Sequence, residues 1–185
     1  MSFTTKKICR AGIIAAIYVA LTFITFPIAS GAIQFRLSEA LTLLPLFMPE
    51  SIFGLFIGCI IANWVTGCTI FDIFLGSLIT LIAAFITYVI GKFIKNNVLK
   101  VIIGGLPPII LNAVFLPLIW LIYSSLEYVY YMQLLFLLAT EALSIYIFGT
   151  LLYFSLIKLI KKYPKIFVVM EKSKEKSNNT NTQEK

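Results

Sequence analysis

Hydrophobic residues run along the chain in long blocks separated by short polar punctuation, and the blocks predict six membrane helices. The first covers about residues 8–26 and stops at Pro27. The second (37–48) and third (49–65) are short, and the fourth, fifth and sixth cover about 70–94, 101–123 and 131–160. A spanning helix needs about 20 apolar residues. The second and third could together form one broken span, because Pro45 and Pro49 deny backbone donors there.

Charge placement separates the two readings. Lys6, Lys7 and Arg10 precede the first block, and Lys92, Lys95 and Lys100 lie between the fourth and fifth. Lys158, Lys161, Lys162 and Lys165 follow the sixth. Six crossings bring all three clusters to one side, which the positive-inside rule makes the cytoplasm; five would set the first cluster against the others. The expected architecture is therefore an all-α integral membrane protein of six transmembrane helices with both termini cytoplasmic in the plasma membrane. Residues 1–165 form the membrane domain. Residues 166–185 form a polar tail, expected to be disordered because it carries almost no hydrophobes from Glu171 onward.

Composition agrees: 60% of the chain is hydrophobic and 12% charged, against roughly 45–50% and about 25% in soluble domains. The net charge of +7 sits at segment ends, where it orients the chain and meets anionic lipid instead of nucleic acid. The first block has no small-x-small cleavage site before the next hydrophobic stretch, so it reads as a membrane helix and not a removable signal. Histidine is absent, which removes the commonest general base and metal ligand. Cys9, Cys59 and Cys68 lack metal spacing and read as inert.

Polar residues inside the apolar blocks carry the candidate chemistry. Gln34, Arg36 and Glu39 open the second helix, with Phe35 among them. Asn63, Trp64 and Asp72 flank the turn between the third and fourth. Asn112 and Trp120 lie in the fifth, and Glu141 in the sixth. Ionisable groups in lipid are costly and normally face an enclosed site. Carboxylates accept from ligand N–H groups or pair with an ammonium, amides both donate and accept, and aromatic rings stack.

Plainer roles compete. Arg36 and Glu39 could pair with each other on one helix turn, Asp72 could cap the fourth helix, and Asn112 could bond a neighbouring helix. Tyr128, Tyr130 and Tyr131 read as an interfacial aromatic belt. Ala11, Gly12, Ala15, Ala16 and Ala20 on the first helix, and Gly54, Gly58 and Ala62 on the third, form small-xxx-small spacings that admit a close neighbour. Neither a phosphate-binding loop nor a nucleophile–base pair is present, so no enzyme and no cofactor in this chain are expected. Gly104-Gly105-Leu106-Pro107-Pro108 reads as a break near the start of the fifth helix.

Three runs carry a family resemblance: Gln34-Phe35-Arg36-Leu37-Ser38-Glu39-Ala40-Leu41-Thr42-Leu43-Leu44-Pro45, Gly54-Leu55-Phe56-Ile57-Gly58-Cys59-Ile60-Ile61-Ala62-Asn63, and Asp72-Ile73-Phe74-Leu75-Gly76-Ser77-Leu78. They resemble the QueT family, the queuosine-precursor substrate-binding subunits (S components) of energy-coupling factor (ECF) transporters. The resemblance implies a six-helix subunit that captures its ligand under the loop joining helices one and two. It then docks on a transmembrane coupling subunit bearing two ATPases, which use the ATP. The implied contact is an alanine pair on the first helix, Ala11/Ala15 or Ala16/Ala20. The implied ligand is a 7-deazaguanine such as 7-aminomethyl-7-deazaguanine, with Glu39 and Glu141 as its carboxylates in either order. Gln34, Asn63 and Asn112 would supply further bonds, Asp72 is a weaker candidate, and Arg36 could orient Glu39. An S component for another vitamin, a gradient-driven secondary transporter and a structural scaffold are the competing readings. The second of these is disfavoured by the lack of an internal repeat.

Overall fold

The computed structural model describes residues 5–27, 35–123 and 130–162 of the 185. Among these every regular element is helical. Helix 1 is Thr5–Thr25, helix 2 Leu37–Leu46, helix 3 Ser51–Val65, helix 4 Asp72–Phe93, helix 5 Asn97–Tyr123 and helix 6 Tyr130–Lys162. Helices 1, 4, 5 and 6 are long and apolar enough to cross a membrane, whereas helices 2 and 3 are shorter apolar segments. Contacts divide the chain into two units, Met1–Leu151 and Leu152–Lys185. The tail expected over 166–185 lies outside the described residues, as do Gln34 and Tyr128.

Hydrogen bonds and close packing fix the relative directions of the helices. Going up helix 1, Ala11 and Ala15 meet Gly54 and Gly58 in the same order, so helices 1 and 3 are parallel. The approach is close: a Cβ on Gly54 would stand 2.7 Å from the Ala11 carbonyl oxygen, and one on Gly58 2.9 Å from Tyr18 Cβ. Small residues thus serve internal packing here.

Helix 2 runs the other way. Ser38 bonds Thr22, Glu39 bonds Tyr18, and Glu50 beyond its end bonds Arg10. Helix 4 is antiparallel to helix 3, with Asn63 near Gly76 and Cys59 near Thr80. It is antiparallel also to helix 5, through Asp72–Trp120 and Thr87–Gly104. Helix 6 descends beside helix 5, with Glu141 at Asn112 and Tyr146 at Ile102. The direction alternates at every connection.

Helix 2 is a 3₁₀-helix, a departure from the all-α architecture expected. Its residues Ser38 to Leu46 are all buried, and it touches all five other helices. At ~2.0 Å per residue this winding stretches it to about 20 Å. Helix 1 is followed downward from Thr22 at Ser38 to Arg10 at Glu50, just beyond the end of helix 2, about 18 Å at an α-helical rise. Leu46 at its far end lies against Gly91 and Gly104. Arg10 and the turn carrying Lys92, Lys95 and Lys100 therefore lie at the same end of the helices.

The break expected at 104–108 is absent: helix 5 runs unbroken from Asn97 and contains Pro107, Pro108 and Pro117. Pro108 removes the donor for the Gly104 carbonyl. The Thr87 hydroxyl of helix 4 supplies one instead, at 2.9 Å. Apolar surroundings make that replacement necessary, since an unpaired backbone carbonyl there costs several kcal/mol, and they explain why a helix can carry prolines that would end it in water.

Candidate ligand site between helices 1, 2, 5 and 6

Glu39 sits in the first turn of helix 2, only 2% exposed. Its Oε1 accepts from the Tyr18 hydroxyl of helix 1 at 2.6 Å, the short length of a charge-assisted bond. Its Oε2 lies 3.5 Å from Asn112 Nδ2 of helix 5. The same nitrogen donates to Glu141 Oε1 of helix 6 at 3.1 Å. One amide, with two hydrogens to give, therefore spans two buried carboxylates from different helices. Glu141 Oε2 is buried with no hydrogen-bond partner.

The backbone around these groups is held in place locally. Just after Glu141, helix 6 widens into a π turn, Ser144–Gly149, a departure that often marks functional sites. The Ser144 hydroxyl at its start donates to the Arg36 carbonyl at 2.6 Å and so ties helix 6 to the entry of helix 2. On the other side Thr22 and Ser38 share a hydrogen bond of 2.8 Å between their hydroxyls. Phe35 packs edge-to-face on Phe148, with centroids 6.2 Å apart.

Arg36 precedes helix 2 in extended backbone. Its Nη1 donates to Asn63 Oδ1 at 3.4 Å, not to Glu39 as a same-turn pair would. Asn63 in turn donates to the Asp72 carbonyl and to Cys59 Sγ, so the cysteine is an acceptor packed beside this network. Asp72 stands apart from the two glutamates. Its carboxylate accepts from Trp120 Nε1 and from Thr69, both at 2.8 Å, while its N–H donates to Thr69 Oγ1. This closes the first turn of helix 4 and pins it to helix 5. Trp64 is exposed on the apolar exterior.

Of the residues singled out from sequence, Glu39, Asn112 and Glu141 come together, with Arg36 and Asn63 adjoining; Gln34 lies outside the described residues. Tyr18, Thr22 and Ser144 were missed. Tyr18, Thr22 and Thr25 recur at four- and three-residue spacing on an otherwise apolar helix, and that polar edge was the available signal. On the same helix Ala11 and Ala15 are buried against helix 3, whereas Gly12, Ala16 and Ala20 face outward.

Apolar helices that turn most of their bulk outward, around an enclosed pair of carboxylates, are the build of a multi-pass membrane transporter. The chain belongs to the QueT transporter family, whose model matches residues 8–158. Comparison with curated proteins and with solved structures finds no match.

Proposed function

We propose that this chain is the substrate-capture subunit (S component) of an ATP-driven ECF importer, taking up a queuosine precursor of the 7-deazaguanine class. The observation that carries the reading is the Glu39–Asn112–Glu141 cluster, where buried carboxylate acceptors face one another with one oxygen unused. A guanine-type edge presents neighbouring N–H donors and a carbonyl, which suits carboxylate plus amide. Arg36, Asn63 and Phe35 line the approach in this reading, and Asp72 belongs to the scaffold beside it.

The alternating helix directions support six crossings. The shared end of Arg10 and Lys92–Lys100 then faces the cytoplasm, and both termini lie there. Helix 1 would dock the coupling subunit through Gly12, Ala16 and Ala20, since Ala11 and Ala15 are already used against helix 3. The chain itself would carry no cofactor and no catalytic activity, with ATP spent by two partner ATPases.

Equilibrium binding of 7-aminomethyl-7-deazaguanine to the purified chain in detergent tests the ligand, with guanine and Glu39→Ala as controls. Tight binding without partners, lost in the variant, is expected; no binding by folded protein rejects the ligand. Uptake in vesicles that requires the ATPases tests the coupling. Uptake by the chain alone on a proton or sodium gradient would favour a secondary transporter, in which Glu141, whose Oε2 has no partner, would be the ion site.

A further inference from the structure

Among the described residues three buried side-chain atoms lack a hydrogen-bond partner: Ser77 Oγ, Gln133 Oε1 and Glu141 Oε2. Glu141 belongs to the site above, and Ser77 lies beside the Cys59 sulfur, a weak acceptor. Gln133 is in neither position. It stands in the first turn of helix 6, at the outer surface in the six-span reading. An amide turned outward there would meet headgroups and water. Instead Tyr131, Met132 and Leu135 are exposed and Gln133 is only 5% exposed. The Tyr130 hydroxyl donates to the Val114 carbonyl of helix 5 at 3.1 Å and holds this turn against that helix. A buried amide oxygen without a donor is destabilising, and an apolar side chain of the same shape would not be. Such an atom calls for a donor from outside the chain.

Its register shows where that donor would come from. Gln133, Leu137 and Glu141 are all buried at four-residue spacing, so the two unpaired oxygens belong to one face of helix 6. The eight positions between Gln133 and Glu141 correspond to about 12 Å along the helix. A two-ring heterocycle with a hydrogen bond of about 2.9 Å at each end reaches about as far. Leu137, between them, packs on Ala113, Leu116 and Ile119 of helix 5 and brings no polar group to compete.

We propose that Gln133 is a ligand-binding residue at the outer end of the site, its Oε1 accepting an N–H of the heterocycle two turns beyond Glu141. This rests on the 7-deazaguanine reading above and adds to it a contact that fixes the orientation of the ring. An amide donates as well as accepts, so it suits an edge on which N–H and C=O adjoin, as on a guanine-type ring.

The test is Gln133→Met in the full chain, read by melting temperature without ligand and by calorimetry with 7-aminomethyl-7-deazaguanine. The two readouts should move in opposite senses. Methionine fills the same space without an unpaired oxygen, so the melting temperature should hold or rise. Affinity should fall roughly tenfold, because the ligand N–H loses its acceptor. Gln133→Leu repeats the comparison with a branched side chain, so that a packing fault in one variant does not decide the result. Unchanged affinity in both variants overturns the role of Gln133 and leaves the 7-deazaguanine reading intact. Weaker binding accompanied by a lower melting temperature in both makes Gln133 a packing residue and also overturns it. No binding by folded wild-type protein overturns both proposals.

Discussion

The Tyr18 hydroxyl donates to Glu39 Oε1 at 2.6 Å while the Tyr18 Cβ rests against Gly58, so one side chain joins the carboxylate to the packing of helices 1 and 3. The two functions can be separated. Tyr18→Phe keeps the ring on Gly58 and loses only the donor. A hydrogen bond to a charged group contributes about 1.5–3 kcal/mol, and part of it reaches the ligand through the orientation of Glu39. Ligand affinity should fall about tenfold, and the melting temperature should drop less than in Tyr18→Ala, which also loses the ring. An equal loss in Tyr18→Phe and Tyr18→Ala would show that the ring alone matters.

Thr87 and Pro108 should be coupled. Thr87→Val removes the donor on the Gly104 carbonyl and is expected to cost about 1–3 kcal/mol. Pro108→Ala restores a backbone N–H for that carbonyl, so Thr87→Val should cost much less in the Pro108→Ala background. A double-mutant cycle on thermal stability measures the difference, and simple additivity would reject the coupling.

Gly58→Leu should destabilise the chain by about 1–3 kcal/mol or more. The new side chain would meet the Ala15 backbone and Tyr18 Cβ, neither of which can swing aside. Gly12→Leu on helix 1 meets nothing within 4 Å and should be tolerated, apart from the small helical advantage of leucine over glycine. Paired melting curves of the two variants in detergent decide this.

Ala15→Leu and Ala16→Leu make a parallel contrast. The first crowds Gly58 and should lower stability. The second changes an outward-facing position and should leave the melting temperature and ligand binding as they are, while reducing ATPase-dependent uptake. Full uptake with Ala16→Leu would remove the outward face of helix 1 from the docking proposal.

Helix 1 was legible in the sequence to within a few residues because lipid-facing blocks are long and their ends are marked by charge or proline. The start of helix 5 was not: the turns before Pro107 and Pro108 continue a helix where hydroxyls on helices 4 and 6, Thr87 and Tyr146, donate to its carbonyls, which no local pattern announces. Helix 2 concealed its winding for another reason. With residues 38–46 all buried, apolar residues occur on every side, and neither three nor 3.6 residues per turn leaves a polar face to reveal the period.

In the candidate site, Glu39, Asn112 and Glu141 could be picked out because each is expensive in lipid. Their meeting depends on contacts separated by as many as 73 positions. The alternative of an Arg36–Glu39 pair on one helix turn does not form, because Arg36 is still extended backbone and donates to Asn63. Tyr18 escaped notice because a tyrosine in an apolar helix is ordinary until its hydroxyl finds a carboxylate.

Helix 3 has 15 residues, about 22 Å of α-helix, and turns Phe53, Ile57, Ile61 and Trp64 to the outside. A hydrocarbon core is nearer 30 Å. In the six-span reading the bilayer must thin beside this flank while meeting full-length helices elsewhere, and each ångström of mismatch carries a modest cost. In that reading thicker bilayers should raise the cost beside helix 3, and thinner ones should relieve it.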